Sequence, residues 1–262
     1  MKKIYNSLWA ESLKTLKAKI FWITIILFVF IAFMIGILIF LAKNPDLISN
    51  SDIMTAKAAM IGKADWQAFF GLLSQTIAMI GIIGFAFVFS WIFGREYTDN
   101  TIKDLLALPV SRDIIVLSKF IVASVWCIIL TLSLFLAGLL IGYIISLENW
   151  STEIAFYSFK VFSVTAFLTL LISMPLAFLA SWSKGFLLPL GIMILLLIIT
   201  QFLQIGAPYF APYFPWSVPA LYYISAINPY QSVQLVSYIV LVITSLAGFL
   251  STFAWWRYAD HK

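Results

Sequence analysis

The sequence has almost none of the residues from which soluble enzymes build reactive sites. Its 262 residues include one cysteine and one histidine, which are Cys127 and His261. One cysteine excludes an intramolecular disulfide framework and a cysteine-ligated zinc site. A single histidine beside the last residue leaves no buried partner for a catalytic triad or a histidine-ligated metal. We therefore expect no catalytic centre, metal site or cofactor in this chain.

Charged residues are also scarce. They make up 10% of the chain and hydrophobic residues 63%, whereas a soluble domain has about a quarter charged and about half apolar residues. A water-soluble fold could not cover so much apolar surface with so few charges. The composition therefore excludes a conventional soluble enzyme and indicates that lipid surrounds most of the protein.

Six apolar runs are long enough for a helix to cross a bilayer, which takes about 20 residues. They are residues 20–42, 68–94, 114–146, 154–180, 186–205 and 235–256. Each run is continuous, whereas the strands of a membrane barrel are short and alternate in polarity. The prediction is an all-α polytopic membrane protein with six transmembrane helices, in which residues 1–262 form a single membrane domain.

The six runs contain no aspartate or glutamate, and their only charges are Lys119 and Lys160. Both lysines are near the end of a run, so we expect their side chains to reach the lipid headgroups. A proton- or sodium-coupled carrier needs an acidic group near mid-membrane. The nucleotide-binding P-loop pattern is absent as well. Energy for uphill transport would therefore have to come from a separate protein.

The distribution of lysine and arginine predicts the orientation of the chain. If the N-terminus is cytoplasmic, twelve of the sixteen basic residues are on the cytoplasmic side, as the positive-inside rule requires. The chain is therefore predicted to be a multi-pass plasma membrane protein with both termini cytoplasmic. The formal net charge of +5 is explained by this bias. No basic domain is left outside the membrane to bind nucleic acid.

Residues 1–19 have the pattern of an amphipathic helix. Apolar residues recur at helical spacing while lysines occupy the other side: Ile4, Leu8, Trp9, Leu13 and Leu16 against Lys3, Lys14 and Lys17. This pattern favours a helix in the headgroup region, with its lysines on anionic membrane lipid. The alternative is an ordinary positively charged flank of the first transmembrane helix.

Residues 95–113 join the second and third runs on the predicted cytoplasmic side. Thr101 and Asp104 form a capping-box pattern that would start a short helix, and Ser111 and Asp113 would cap the next long helix. The short helix would expose an apolar face formed by Ile102, Leu105, Leu106 and Leu108. This face could lie on the membrane or dock into a groove on a partner. The pattern favours neither.

One pair of glycines in the third run predicts close helix packing. Gly138 and Gly142 form a Gly-x-x-x-Gly pair, which lets two helices approach closely.

Residues 206–233 form an uncharged loop with five prolines and eight aromatic residues. We expect this loop to lie at the outer membrane interface, where anchoring is favoured over direct contact with substrate.

Two stretches carry a family resemblance. The run Phe93-Gly-Arg-Glu-Tyr-Thr-Asp-Asn-Thr-Ile-Lys-Asp-Leu-Leu-Ala-Leu-Pro-Val-Ser-Arg112, followed by Lys119, resembles the signature of ABC-2-type transporter permeases. The ending Trp255-Trp-Arg-Tyr-Ala-Asp260 is similar to their C-termini. The resemblance implies a permease subunit without its own ATPase, paired with a second permease subunit as a homodimer or heterodimer. It also implies an ABC ATPase partner that binds ATP and magnesium.

In this family the first cytoplasmic loop presses onto the ATPase. Carried over by position, the resemblance implies a coupling surface of seven residues: Glu96, Thr101, Lys103, Asp104, Leu105, Leu106 and Arg112. Small size and apolar character resemble bacitracin-resistance and lantibiotic-immunity permeases, so we expect export of an amphiphilic or membrane-active substrate such as an antimicrobial peptide. Export of a lipid or polysaccharide-lipid, a secondary carrier or channel, and a non-transporting membrane sensor or scaffold remain as alternatives.

Overall fold

The structure is a computed structural model that describes residues 2–44, 63–102, 105, 110–228 and 232–258. Within these residues the chain forms nine α-helices. They are α1 (Lys2–Lys17), α2 (Lys19–Lys43), α3 (Trp66–Thr98), α4 (Arg112–Ile144), α5 (Thr152–Ser173), α6 (Pro175–Trp182), α7 (Leu187–Gly206), α8 (Val218–Ile227) and α9 (Leu235–Tyr258). The all-α prediction is confirmed.

Six helical stretches of the described residues are long and apolar enough to cross a membrane, which confirms the six predicted transmembrane helices. Five of them are single helices. The fourth, Thr152–Trp182, consists of α5 and α6 and was predicted as one uninterrupted helix. The break occurs at Pro175, the first residue of α6, because proline has no amide hydrogen for the preceding turn and its ring clashes with that turn.

Helix α3 is the centre of the bundle. Large apolar side chains along its length are fully buried, including Phe69, Phe85 and Phe89. Helices α4, α5 and α6 pack around it. In contrast, α2, α7 and α9 expose many large apolar side chains, which suits a surface solvated by lipid rather than water.

Several chain segments meet at one end of the bundle, which we call the termini end. They are α1, the last turn of α3, the first turn of α4 and the last turn of α9, and they are joined by hydrogen bonds. The predicted N-terminal helix is confirmed as a separate helix, since Ala18 is extended between α1 and α2. The start of α3 and the α4–α5 connection lie at the opposite end, where the amide of Trp66 donates to the carbonyl of Glu148.

The described part of the aromatic loop is largely helical. After α7 the chain forms two 3-10 helices, Ala211–Tyr213 and Pro215–Ser217, followed by α8. Each of these three short helices has a proline in its first turn, where the missing amide hydrogen costs nothing. The prolines in the first turns of these three short helices therefore lie where helices begin, rather than interrupting them. Pro229 and the two residues after it lie outside the described residues.

Candidate functional site: a buried ion cluster at the termini end

Four charged side chains meet inside the protein at the termini end. They are Glu11 of α1, Arg95 and Glu96 of α3, and Lys119 of α4, which we call the ion cluster. The Lys119 side chain is 0% exposed. Its ammonium nitrogen is 2.9 Å from Oε1 of Glu11 and 2.9 Å from Oε1 of Glu96. Three helices that are distant in sequence are therefore joined by one lysine.

Arg95 provides the second buried positive charge. Its guanidinium donates a hydrogen bond to Glu11, and its Nε is 3.6 Å from Oε1 of Glu96. The guanidinium carbon is also 4.6 Å from the centre of the Trp91 ring, a distance suited to a cation–π contact. Lys14 of α1 reaches the edge of the cluster, with Nζ 3.2 Å from Oε1 of Glu96.

The cluster balances its charges, with two carboxylates against two buried cations. Burial alone would raise the pKa of Glu11, but the neighbouring charges of Lys119 and Arg95 outweigh burial and hold this pKa below its ordinary 4.5. Glu11 is therefore ionised at neutral pH. In the part of the chain that the structure describes, no group of three or more His, Cys, Asp or Glu side chains could hold a metal ion.

The prediction that Lys119 reaches the headgroups is wrong. Its side chain turns into the protein and also donates a hydrogen bond to the carbonyl of Ile92, at 3.2 Å. A buried ammonium group is costly unless it is paired, and Glu11 and Glu96 supply that pairing. The sequence showed a lone lysine near the end of an apolar run because its partners come from two other segments.

Helix α3 also extends beyond the predicted boundary at residue 94. It continues to Thr98, so Arg95 and Glu96 belong to its last turns rather than to a loop. A helix of 33 residues is about 50 Å long, whereas the hydrocarbon core is about 30 Å thick. The excess length is sufficient for the charged turns to lie beyond a hydrocarbon core of this thickness, and their charged side chains are buried inside the protein.

Two backbone hydrogen bonds define where α3 ends. The amide of Thr101 donates to the carbonyl of Glu96, and the amide of Asn100 donates to the carbonyl of Tyr97. Asn100 has a φ of 55°. This is the Schellman arrangement, in which a left-handed residue ends a helix. The motif brings the residue after Asn100 back against the last turn of α3.

Thr101 connects residues 95–113, which we call the coupling segment, to the ion cluster. Its hydroxyl donates to Oε2 of Glu96 at 2.6 Å, and its carbonyl accepts from the amide of Leu105 at 3.0 Å. The predicted cap partner Asp104 lies outside the described residues. Thr101 therefore joins the first turn of the predicted coupling helix to a carboxylate that Lys119 also holds.

The structure describes four of the seven predicted coupling residues: Glu96, Thr101, Leu105 and Arg112. The other three lie outside the described residues: Lys103, Asp104 and Leu106. The Glu96 side chain is 2% exposed, so it can act on a partner only through its neighbours. Leu105 is partly buried against the apolar core, and Ile102 is buried in it. The predicted exposure of the apolar face is therefore wrong for Ile102 and holds only in part for Leu105.

Arg112 lies apart from the ion cluster. Its guanidinium donates to the carbonyls of Trp256 and Arg257 at 3.1 and 3.2 Å, which ties the start of α4 to the end of α9. Of the two predicted caps of α4, Ser111 occupies the N-cap position but makes no capping hydrogen bond through its side chain, and Asp113 is in the first turn. The side-chain cap predicted at Ser111 is therefore wrong.

Gly138 and Gly142 both lie where α4 crosses α3. A Cβ atom on Gly138 would be 2.6 Å from Cδ1 of Leu73, and one on Gly142 would be 2.6 Å from the ring of Trp66. Both distances are well inside van der Waals contact. The absence of side chains at these positions lets α4 approach α3 closely.

Sequence reasoning missed Glu11 and Arg95 as site residues. A signal for Glu11 was present, because it lies three residues after Leu8 and four before Thr15, on the helix face that turns inward. A lone carboxylate within the inward face of a lysine-rich helix points to a buried cation elsewhere in the chain. For Arg95 the signal was its position beside Glu96, directly after an apolar run.

Comparisons with known proteins agree with this architecture. The chain matches the ABC-2 family transporter protein family over residues 7–200, a region that contains the whole ion cluster and the coupling segment. It is also similar to the bacitracin transport permease protein of Bacillus licheniformis. The two are 27% identical over 184 residues, which cover 70% of this chain and 87% of that protein. The chain therefore belongs to the ABC-2 family of transporter proteins.

Proposed function

We propose that residues 95–113 dock onto an ABC ATPase and that the ion cluster transmits ATPase movement to the transmembrane helices. The single observation that carries this proposal is the hydrogen bond from Thr101 to Glu96. Through that bond, the coupling segment contacts a carboxylate shared with Lys119. In this proposal the chain is the membrane permease subunit of an ABC exporter. ATP and magnesium bind to the ATPase, and two permease subunits complete the transporter.

The geometry supports a rigid transmission. Glu96 is on α3, Lys119 is on α4 and Glu11 is on α1, so one ion cluster connects three helices. Separating a buried carboxylate from its cation is costly, so the three helix ends move together when the coupling segment is pushed. Helices α3 and α4 each extend for 33 residues and carry the displacement across the membrane.

The proposed orientation has both termini, and hence the ion cluster, on the cytoplasmic side. The distribution of lysine and arginine between the two sides supports this orientation through the positive-inside rule. Cysteine labelling tests this orientation. A cysteine introduced by Glu148→Cys, in a Cys127→Ser background, should react with a membrane-impermeant maleimide added to intact cells. A cysteine introduced by Lys184→Cys should react only after the cells are opened. The reverse pattern would contradict the orientation.

Docking is tested by co-purification with the ATPase. Replacing Leu105 and Leu106 together by aspartate should release the ATPase, because two charges oppose burial of an apolar docking face. Lys184→Asp is the matched control, since it adds an acidic residue at the same end outside the coupling segment. A melting temperature close to that of the wild type verifies the fold of each variant. Retention of the ATPase by the folded double variant would contradict docking.

For the substrate, we propose a membrane-active peptide antibiotic of the bacitracin type. The similarity to a bacitracin transport permease supports this choice, as does the scarcity of charge along the helices. Expression of the chain with its ATPase should raise the bacitracin concentration that inhibits a sensitive bacterium several-fold. An ATPase variant that binds but does not hydrolyse ATP should abolish the protection. Protection that persists without ATP hydrolysis would indicate a carrier, and no protection would contradict this substrate class.

A further inference from the structure

A cleft opens at the end of the bundle opposite the ion cluster. It has a volume of about 290 Å³ and lies between α3, α5 and α8. Its lining includes Phe70, Gly71 and Ser74 of α3, Glu153 and Tyr157 of α5, and Tyr223 of α8. These residues combine three aromatic rings, a serine hydroxyl, two tyrosine hydroxyls and one carboxylate.

The walls of the cleft are held in place by contacts outside it. The Tyr157 hydroxyl donates to the carbonyl of Ala226 at 3.0 Å, which fixes α5 against α8. Phe70 is 2% exposed and its ring is 5.3 Å from that of Trp66. Tyr223 lies over Gly71, and a Cβ atom on Gly71 would be 4.0 Å from the tyrosine hydroxyl. Glycine at position 71 therefore keeps the floor of the cleft open.

Of the lining residues that the structure describes, only Glu153 is charged. Among the described residues it has no ion-pair partner, since the salt bridges of this part of the chain all belong to the termini end. Its carboxylate is exposed at the first turn of α5. In the described part of its lining, the cleft therefore has one negative charge and three aromatic side chains, with no lysine or arginine among them.

From this arrangement we infer that the cleft binds an organic cation, namely a primary ammonium or guanidinium group carried on an apolar chain. The carboxylate of Glu153 pairs with the positive charge, and the rings of Tyr157 and Tyr223 offer negative faces to it. The apolar part of the ligand occupies the space above Gly71. A lysine, ornithine or arginine side chain of a membrane-active peptide has this chemistry.

This inference goes beyond the proposed exporter function, because it assigns a binding site at the end of the protein opposite the coupling segment. Binding to the cleft needs neither the ATPase nor transport. Failure of a binding experiment is therefore distinguishable from failure of the exporter proposal.

The test uses the full chain in nanodiscs of phosphatidylcholine, which has no net charge. The probe is octanoyl-lysine amide, and its neutral counterpart is octanoyl-norleucine amide, which lacks the ammonium group. Isothermal titration calorimetry measures both, with protein-free nanodiscs as the blank. We expect the wild type to prefer the lysine probe about tenfold, since a charge pair and a cation–π contact act together.

Two pairs of variants test the residues. Glu153→Gln should lower the preference for the lysine probe about fivefold, whereas Glu148→Gln, an exposed acidic residue at the same end, should leave it unchanged. Gly71→Leu should fill the cleft and weaken binding of both probes. Gly191→Leu is its control, because a Cβ atom there meets nothing within 4 Å.

Three results would overturn the inference. One is a wild type that binds both probes equally, and another is a lysine preference that survives Glu153→Gln. The third is an equal loss in Glu148→Gln, which would indicate attraction by general surface charge. If Gly71→Leu does not fold, as judged by its melting temperature, the two glutamate variants decide the outcome.

Discussion

Lys119 and Glu11 are 108 positions apart in the chain, and their charged atoms are 2.9 Å apart in the fold. The lysine is fully buried and the carboxylate almost so. This pair joins the N-terminal helix α1 to the first turns of α4. Helix α1 is therefore part of the ion cluster, which Thr101 of the coupling segment contacts through Glu96.

Removing the buried lysine should destabilise the protein strongly. In Lys119→Met, two carboxylates lose their shared cation, and breaking a buried pair in this way costs about 3–5 kcal/mol. We expect a clear fall in melting temperature in detergent, measured by tryptophan fluorescence. Lys160→Met, an exposed lysine of α5 without an ion pair among the described residues, should leave the melting temperature close to that of the wild type. Equal effects of the two variants would contradict the structural role of the ion cluster.

The pH dependence of stability should report on Glu11. Its folded-state pKa lies below the ordinary 4.5, so ionisation of Glu11 favours the folded state above that pH. This contribution is lost as the pH falls through the lower, folded-state pKa. The wild-type melting temperature should therefore fall more steeply below pH 4.5 than that of Glu11→Gln. Glu148→Gln is the control and should keep the wild-type slope, while parallel curves for wild type and Glu11→Gln would exclude the effect.

Transmission of ATPase movement to the transmembrane helices should depend on the Thr101 hydroxyl. Thr101→Val removes a hydrogen bond to a buried carboxylate, worth about 1.5–3 kcal/mol, while preserving the shape of the side chain. We expect the ATPase to remain bound but transport per ATP hydrolysed to fall. Thr101→Ser keeps the hydroxyl and should restore the ratio. Thr98→Val, which removes only a hydrogen bond to the carbonyl of Gly94 within α3, should have little effect on it.

The close crossing of α3 and α4 should not tolerate a side chain at position 138. Gly138→Val would bring a Cβ atom within 2.6 Å of Leu73, and such overpacking costs about 1–3 kcal/mol. Gly191→Val has the same backbone effect but meets nothing within 4 Å. The difference in unfolding free energy between the two variants therefore measures packing alone. A difference near zero would mean that the helices can separate at this crossing at little cost.

The bilayer explains why so much of the fold was visible in the sequence. Hydrocarbon cannot satisfy backbone polar groups, so each crossing must be a continuous apolar helix of sufficient length. The runs that begin at Ile20 and Leu235 therefore predict α2 and α9 almost to the residue. The run that ends at Gly94 stops four residues before the end of α3, because a helix end paired inside the protein can be charged.

The sequence by itself determined the six apolar crossings, the separate N-terminal helix and the family signature around residues 93–112, because each is a local pattern of polarity or residue type. Only the tertiary structure decided that Glu11, Arg95, Glu96 and Lys119 form one cluster. The position of a charged residue in the sequence does not indicate which distant residue it pairs with. The cost of placing a charge in an apolar interior is offset only when packing brings an opposite charge within a few ångströms.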